Sequence, residues 1–232
     1  PAVMAGFLLT AIPNWTGRLP VTGWPLFALF ALWLVGRLAM LAADELCPAA
    51  AIADTAFLFV LAAAAWREII AGRNLRNVIV CALVTAMAAA NVLTLLKADP
   101  ALAQLGVRIA LSVGAMLIAL IGGRITPSFT RNWLAKQRLS PEPAPPGRFD
   151  AGALALTGAA LLAWIVAPNA AWTGAALMLA GALTLMRLAR WRGWAAAREP
   201  LVLVLHAGYL WLAAGLALMG AGAAAPQMVP PT

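Results

Sequence analysis

Apolar residues run through this chain in long blocks separated by short polar connections. The blocks cover residues 1–12, 24–42, 48–66, 78–96, 101–121, 150–167, 170–188 and 200–221. About 20 apolar residues cross the hydrocarbon layer of a membrane as a helix, and each of the last seven blocks matches one crossing. The first would reach only about 18 Å as a helix and is expected to be the tail of a span. Alanine and leucine dominate, with little two-residue alternation, so helices fit and a membrane barrel does not. The pattern predicts an all-α protein, a polytopic transmembrane helix bundle with seven full spans plus one partial N-terminal span.

Composition narrows the class further. Hydrophobic residues make up 64% and charged residues 10%, against about 25% charged in soluble domains; the chain cannot clothe a water-facing surface. The formal net charge of +8 does not point to nucleic acid, because the basic residues fall in alternate connections. One side holds Arg18; Arg67, Arg73 and Arg76; Arg124, Arg131, Lys136, Arg138 and Arg148; and Arg187, Arg190, Arg192 and Arg198. The other holds Lys97 beside Asp44, Glu45 and Asp99. This bias predicts that the basic loops are cytoplasmic. Trp15, Trp66, Trp133, Trp191 and Trp194 gather near that face, and Trp164 and Trp172 flank the opposite turn, as an aromatic belt in contact with the lipid bilayer should.

Two polar segments stand out. The segment 140–147 is proline-rich, hence extended and not expected to pack. It divides the membrane domain into five spans over 1–140 (the first partial), a cytoplasmic linker over 141–149, and three spans over 150–232. The second segment is Gly122-Gly-Arg-Ile-Thr-Pro-Ser-Phe-Thr-Arg-Asn132. Its glycine pair reads as a helix end, and Pro127 forbids a regular helix from continuing and biases Thr126 toward extended geometry. An interfacial loop whose arginines touch lipid phosphates is the bland reading of it.

Few residues inside the spans can carry chemistry. Arg37, Asp54 and Arg108 lie at similar depth, with Asn91 at the same level. Charges at such depth cost roughly 2.5–3.5 kcal/mol each on insertion scales and usually face the bundle interior or water. They form either a buried cluster, which neutralises itself or holds an anionic group such as a carboxylate, or two arginines that snorkel to the surface. Cys47 and Cys81 are expected at opposite ends of their spans, too far apart for a disulfide, and read as separate structural thiols. The single histidine, His206, lies one turn and a half past Pro200, with Gly208 beside it leaving room for a flat group or a helix. A buried neutral imidazole ligates haem iron or copper, or else makes an interhelical hydrogen bond.

Four motifs carry a resemblance. Gly6-Phe-Leu-Leu-Thr-Ala-Ile-Pro-Asn-Trp-Thr-Gly17, Arg67-Glu-Ile with Gly72-Arg-Asn-Leu-Arg-Asn77, the 122–132 segment, and Arg198-Glu-Pro with Leu205-His-Ala-Gly-Tyr209 occur in order along nearly the whole chain. Together they resemble the NnrS family of bacterial inner-membrane proteins. The resemblance implies haem and copper as cofactors and a role in the nitric oxide response and denitrification. It also implies a chain that is the central part of a larger, roughly twelve-helix protein, whose further His-bearing segments outside it are the expected main metal ligands, so that the haem and copper site within this chain is expected to be incomplete. On that reading His206 is a metal ligand and Arg124 faces a haem propionate. Asn14, Trp15, Arg73, Asn74, Pro127 and Asn132 belong to the same side, and Arg37 with Arg108 forms the competing propionate site. A secondary transporter with Arg37, Asp54 and Arg108 lining its pathway, and a scaffold subunit, are the alternatives. No acid/base pair or nucleophile constellation marks an enzyme.

Overall fold

The structure, a computed structural model, describes residues 2–42, 48–96, 99–139 and 143–224. Asp44, Glu45, Cys47, Lys97 and residues 140–142 of the proline-rich segment lie outside the described residues. Helix accounts for 86% and no strand forms among the described residues, so the architecture is all-α. In chain order the helices are α1 (Ala2–Thr16), α2 (Gly23–Ala42), α3 (Pro48–Ala71), α4 (Val78–Thr94), α5 (Pro100–Lys136), α6 (Arg148–Val166), α7 (Ala171–Arg190) and α8 (Pro200–Ala224). Short 3-10 turns at Leu75–Asn77 and Gly193–Ala196 precede α4 and α8. The helices α2 to α8 are long and apolar enough to cross a membrane; α1 is shorter.

Local chemistry explains where several helices begin. Asp99 caps α5: its Oδ1 accepts from the N–H groups of Ala101 (3.0 Å) and Leu102 (3.2 Å), while Pro100 fills the first position, where its missing N–H costs nothing. Asp150 plays the reciprocal part at α6, accepting the Gly147 N–H at 3.1 Å. Gly17, at φ +68, provides the left-handed residue that ends α1.

Residues 122–132, expected as a loop, are helical. α5 runs unbroken for 37 residues with Pro127 inside it, about 55 Å where about 30 Å of hydrocarbon needs crossing. The glycine pair is explained by packing instead of termination. A Cβ on Gly122 would meet the Tyr209 ring at 3.0 Å, and one on Gly123 would meet the Arg187 guanidinium at 2.5 Å. Gly123, Thr126, Pro127, Thr130 and Leu134 form a buried stripe at helical spacing, and burying that stripe outweighs the one backbone hydrogen bond that Pro127 withdraws, a loss that helices in membranes accommodate. The proline-rich linker likewise packs where it is described. Pro143 is buried, the Ala144 N–H donates to the Arg190 carbonyl at 3.2 Å, and Arg148 and Phe149 already belong to α6.

The chain divides within α5 into two compact units, Pro1–Val113 and Gly114–Thr232. In the first unit α3 packs against α1, α2 and α4, burying Leu58, Leu61, Ala65 and Ile69 with Leu8, Ile12, Val80 and Val84. In the second, α7 and α8 approach until their backbones touch. A Cβ on Gly220 would lie 2.7 Å from the Gly174 carbonyl and 2.8 Å from the Met178 nitrogen, the close approach that small residues permit between membrane helices. Gly220→Ala is therefore expected to destabilise the protein by about 1–3 kcal/mol through overpacking. Gly215→Ala, in the same helix but with nothing within 4 Å of the added atom, should stay within about 0.5 kcal/mol of the parent. Unfolding of the detergent-solubilised protein, followed by tryptophan fluorescence, separates the two.

Candidate functional site

The histidine site is built by the turn between α7 and α8. After α7 ends, Arg192 takes a left-handed conformation (φ 54) and turns the chain into the 3-10 segment that begins at Gly193. Gly193 lies flat against the His206 ring: a Cβ there would stand 2.4 Å from Cδ2 and 2.8 Å from Nε2. His206 itself belongs to the buried stripe of α8, which continues through Tyr209, Ala213, Leu216 and Gly220. Its Nδ1 is 2.9 Å from the Val202 carbonyl one turn earlier. A carbonyl can only accept, so Nδ1 carries a proton, and in a neutral ring the lone pair then lies at Nε2. That nitrogen is buried and has no hydrogen-bond partner.

One helical turn further on, a polar network closes the same unit. Arg187 is 3% exposed. Its Nε donates to Asp150 Oδ1 at 3.1 Å and its Nη1 to the Tyr209 hydroxyl at 2.7 Å. The Tyr209 hydroxyl lies 3.4 Å from the Ala119 carbonyl, which accepts from it. The guanidinium also lies 5.5 Å from the Trp191 ring centre and 5.8 Å from that of Tyr209, within cation–π range. α5, α6, α7 and α8 are thus tied together at one level. Along the sequence, Arg187 stands among the loop charges and Asp150 at a span boundary. The available signal was that Arg187 falls inside the last turn of an apolar block while the chain's single tyrosine lies in the motif around His206.

In the first unit, Arg37 of α2 forms an ion pair with Asp54 of α3, and the Asn91 amide of α4 donates to Asp54 Oδ2 at 3.0 Å and to the Thr55 hydroxyl at 3.3 Å. The close approach that permits this comes from Gly36, whose added Cβ would lie 2.9 Å from the Asp54 Cα. Arg108 makes no ion pair among the described residues, and its Nε, the Arg37 Nε, the Trp33 indole nitrogen and the Ser112 hydroxyl are buried without partners.

The remaining motif residues are placed as follows. Asn14 is exposed and donates to the Thr10 carbonyl of its own helix. The Trp15 carbonyl accepts from the Asn74 amide, which pins the turn after α3 to the end of α1; Gly72 packs there against Thr16. Arg73 occupies that turn with φ 49. Arg124 and Asn132 are exposed positions on α5, while Pro127 is buried. Cys81 is a buried free thiol. Among the described residues no three His, Cys, Asp or Glu side chains converge as a metal-binding group.

Against known families, the sequence model described as NnrS protein matches residues 1–232, the whole of this chain. No curated protein matches it, and no solved structure does.

Proposed function

The chain belongs to the NnrS family, a membrane protein connected with the nitric oxide response, and from that premise we propose that it binds haem through His206 and handles nitric oxide in the bacterial inner membrane. The observation that carries this reading is the state of the imidazole. A ligating histidine needs a neutral ring, one nitrogen tethered to an acceptor and the other free. His206 has Nδ1 tied to the Val202 carbonyl at 2.9 Å and a buried Nε2 with no partner. An unpartnered polar atom in an apolar interior is costly, and a ligand at Nε2 would satisfy it.

When bound, haem supplies an iron at which nitric oxide can coordinate. The rest belongs to the chain. The Val202 carbonyl fixes the tautomer and ring rotation and increases the basicity of Nε2. Gly193 lies against the ring, where any side chain would collide with it. Arg124 is assigned to a propionate, since a guanidinium matches a carboxylate bidentately. It follows directly on Gly122 and Gly123, which pack against Tyr209 and Arg187, within about one helical turn of the level of His206. A copper site needs more ligands than the described residues gather, and no step is assigned to copper.

A transport reading draws on the first unit, where a buried acid, its arginine partner and an amide cross three helices, as residues along an ion or substrate path do. The haem and copper content and the visible absorption spectrum of the detergent-purified protein decide between the two. About one haem iron per chain, with an imidazole-ligated spectrum, is the expected result. Folded protein devoid of haem would overturn the haem reading and leave transport, in which case Asp54→Asn should abolish substrate uptake without impairing assembly.

A further inference from the structure

α1 ends at Gly17, the connection Arg18–Val21 leads to α2, and α3 finishes nearby at Ala71. Between them lies an open basin of about 610 Å³, whose polar lining is Arg18, Thr22, Arg67 and Glu68. Next to it the seam between α1 and α3, over Leu8, Ile12, Leu61 and Ala65, is packed closed, with room for about one water.

The charges at the mouth do not cancel. Glu68 has a side chain only 10% exposed, and both its oxygens are engaged: Oε2 by Arg18 Nε at 2.7 Å and Oε1 by Arg67 Nε at 3.1 Å and Nη2 at 2.8 Å. Two guanidinium groups thus share one carboxylate, leaving one positive charge in excess. The arginines stay accessible, with side chains 48% and 71% exposed. Both terminal nitrogens of Arg18 and one of Arg67 point to no acceptor among the described residues.

Position selects the ligand class. Glu68 falls in the last turn of the apolar stretch Ala50–Ala71, and Gly23 opens the preceding one, so the basin lies where hydrocarbon meets headgroups. Leu19, 90% exposed, and Trp24, 82% exposed, flank it; a bare leucine and an interfacial tryptophan at that level suit contact with lipid. We propose that this mouth forms a specific site for an anionic phospholipid. Its phosphate accepts hydrogen bonds from the free nitrogens of Arg18 and Arg67, and its acyl chains lie against the exposed Leu19 and Trp24. Basic pockets between membrane helices take anionic headgroups for this reason. Glu68 holds the two guanidinium groups in place and at the same time limits the affinity, since its charge opposes the ligand's.

The test is native mass spectrometry of the intact protein in detergent supplied with equal phosphatidylglycerol and phosphatidylcholine, reading the ratio of the two lipids retained. The parent should prefer phosphatidylglycerol. Arg18→Gln and Arg67→Gln should each reduce the preference about fivefold, while Arg76→Gln, an exposed arginine of the next turn, should leave it unchanged. Glu68→Gln keeps both arginines and removes the opposing charge, so the preference should rise, a gain that misfolding cannot imitate. The proposal fails if Arg18→Gln and Arg67→Gln leave the ratio unmoved, if Arg76→Gln reduces it equally, or if Glu68→Gln does not raise it. It fails also if millimolar inorganic phosphate displaces the lipid, because the site would then recognise phosphate alone.

Discussion

Replacing His206 with alanine is expected to remove haem from the purified protein while its helices persist. The imidazole offers a buried nitrogen without a partner, and its tether to Val202 holds that nitrogen in one direction. Weakening only such a tether typically costs 10–100-fold in metal affinity, so deleting the ligand should cost at least about 100-fold. The measurement is absorption in the visible region, normalised to protein, beside far-ultraviolet circular dichroism. His206→Gly with imidazole added to the buffer should recover part of the absorption, since the cavity left behind matches the reagent. Haem retained at the parent level in His206→Ala would reduce the residue to a packing role and move the iron ligand elsewhere in the protein.

The second large effect is on stability. Arg187→Ala should destabilise the folded protein by about 3–5 kcal/mol, the usual consequence of leaving one member of a buried ion pair behind. Asp150 is 7% exposed and would retain only the Gly147 N–H at 3.1 Å and the distant Arg190 at 3.9 Å. The Tyr209 hydroxyl would lose its donor, and the Gly123 face of α5 would lose the group it is shaped around. The apparent melting temperature, read from tryptophan emission, should fall by several degrees or more, with Trp191 next to the lesion as a reporter. Combining Arg187→Met with Asp150→Asn removes both charges, so the double variant should recover much of the loss. If Arg187→Ala melts with the parent, the network contributes no more than an exposed pair would.

Much of this architecture was legible because membrane insertion is a one-dimensional constraint. A helix of about 20 apolar residues satisfies its own backbone and can be recognised without knowing its neighbours, so the seven long helices follow from the blocks of alanine and leucine alone. The depth of Arg37, Asp54 and Asn91 was legible for the same reason, since 1.5 Å per residue converts a position into a level. That Arg37 meets Asp54 and Asn91 also meets it, while Arg108 has no acid partner among the described residues, depends on rotation about each helix axis, which depth does not contain.

The segment 122–132 shows where local rules lose to packing. Glycine at a helix end and proline as a helix breaker are statements about isolated backbone energetics, worth about 1 and 3 kcal/mol. In this chain Gly122 and Gly123 instead admit the Tyr209 ring and the Arg187 guanidinium, and Pro127 lies in a buried stripe of a 37-residue helix. The sequence by itself therefore determined the class, the number of spans and the one imidazole available to a metal, because each follows from composition and spacing along the chain. Only the tertiary structure decided that His206 keeps a free, buried Nε2 beneath Gly193, that Asp150, Arg187 and Tyr209 form one network, and that Arg18 and Arg67 converge on Glu68. Apart from the adjacent Arg67 and Glu68, those facts join residues 13 to 50 positions apart, and only the packing of helices against one another brings such distant side chains together.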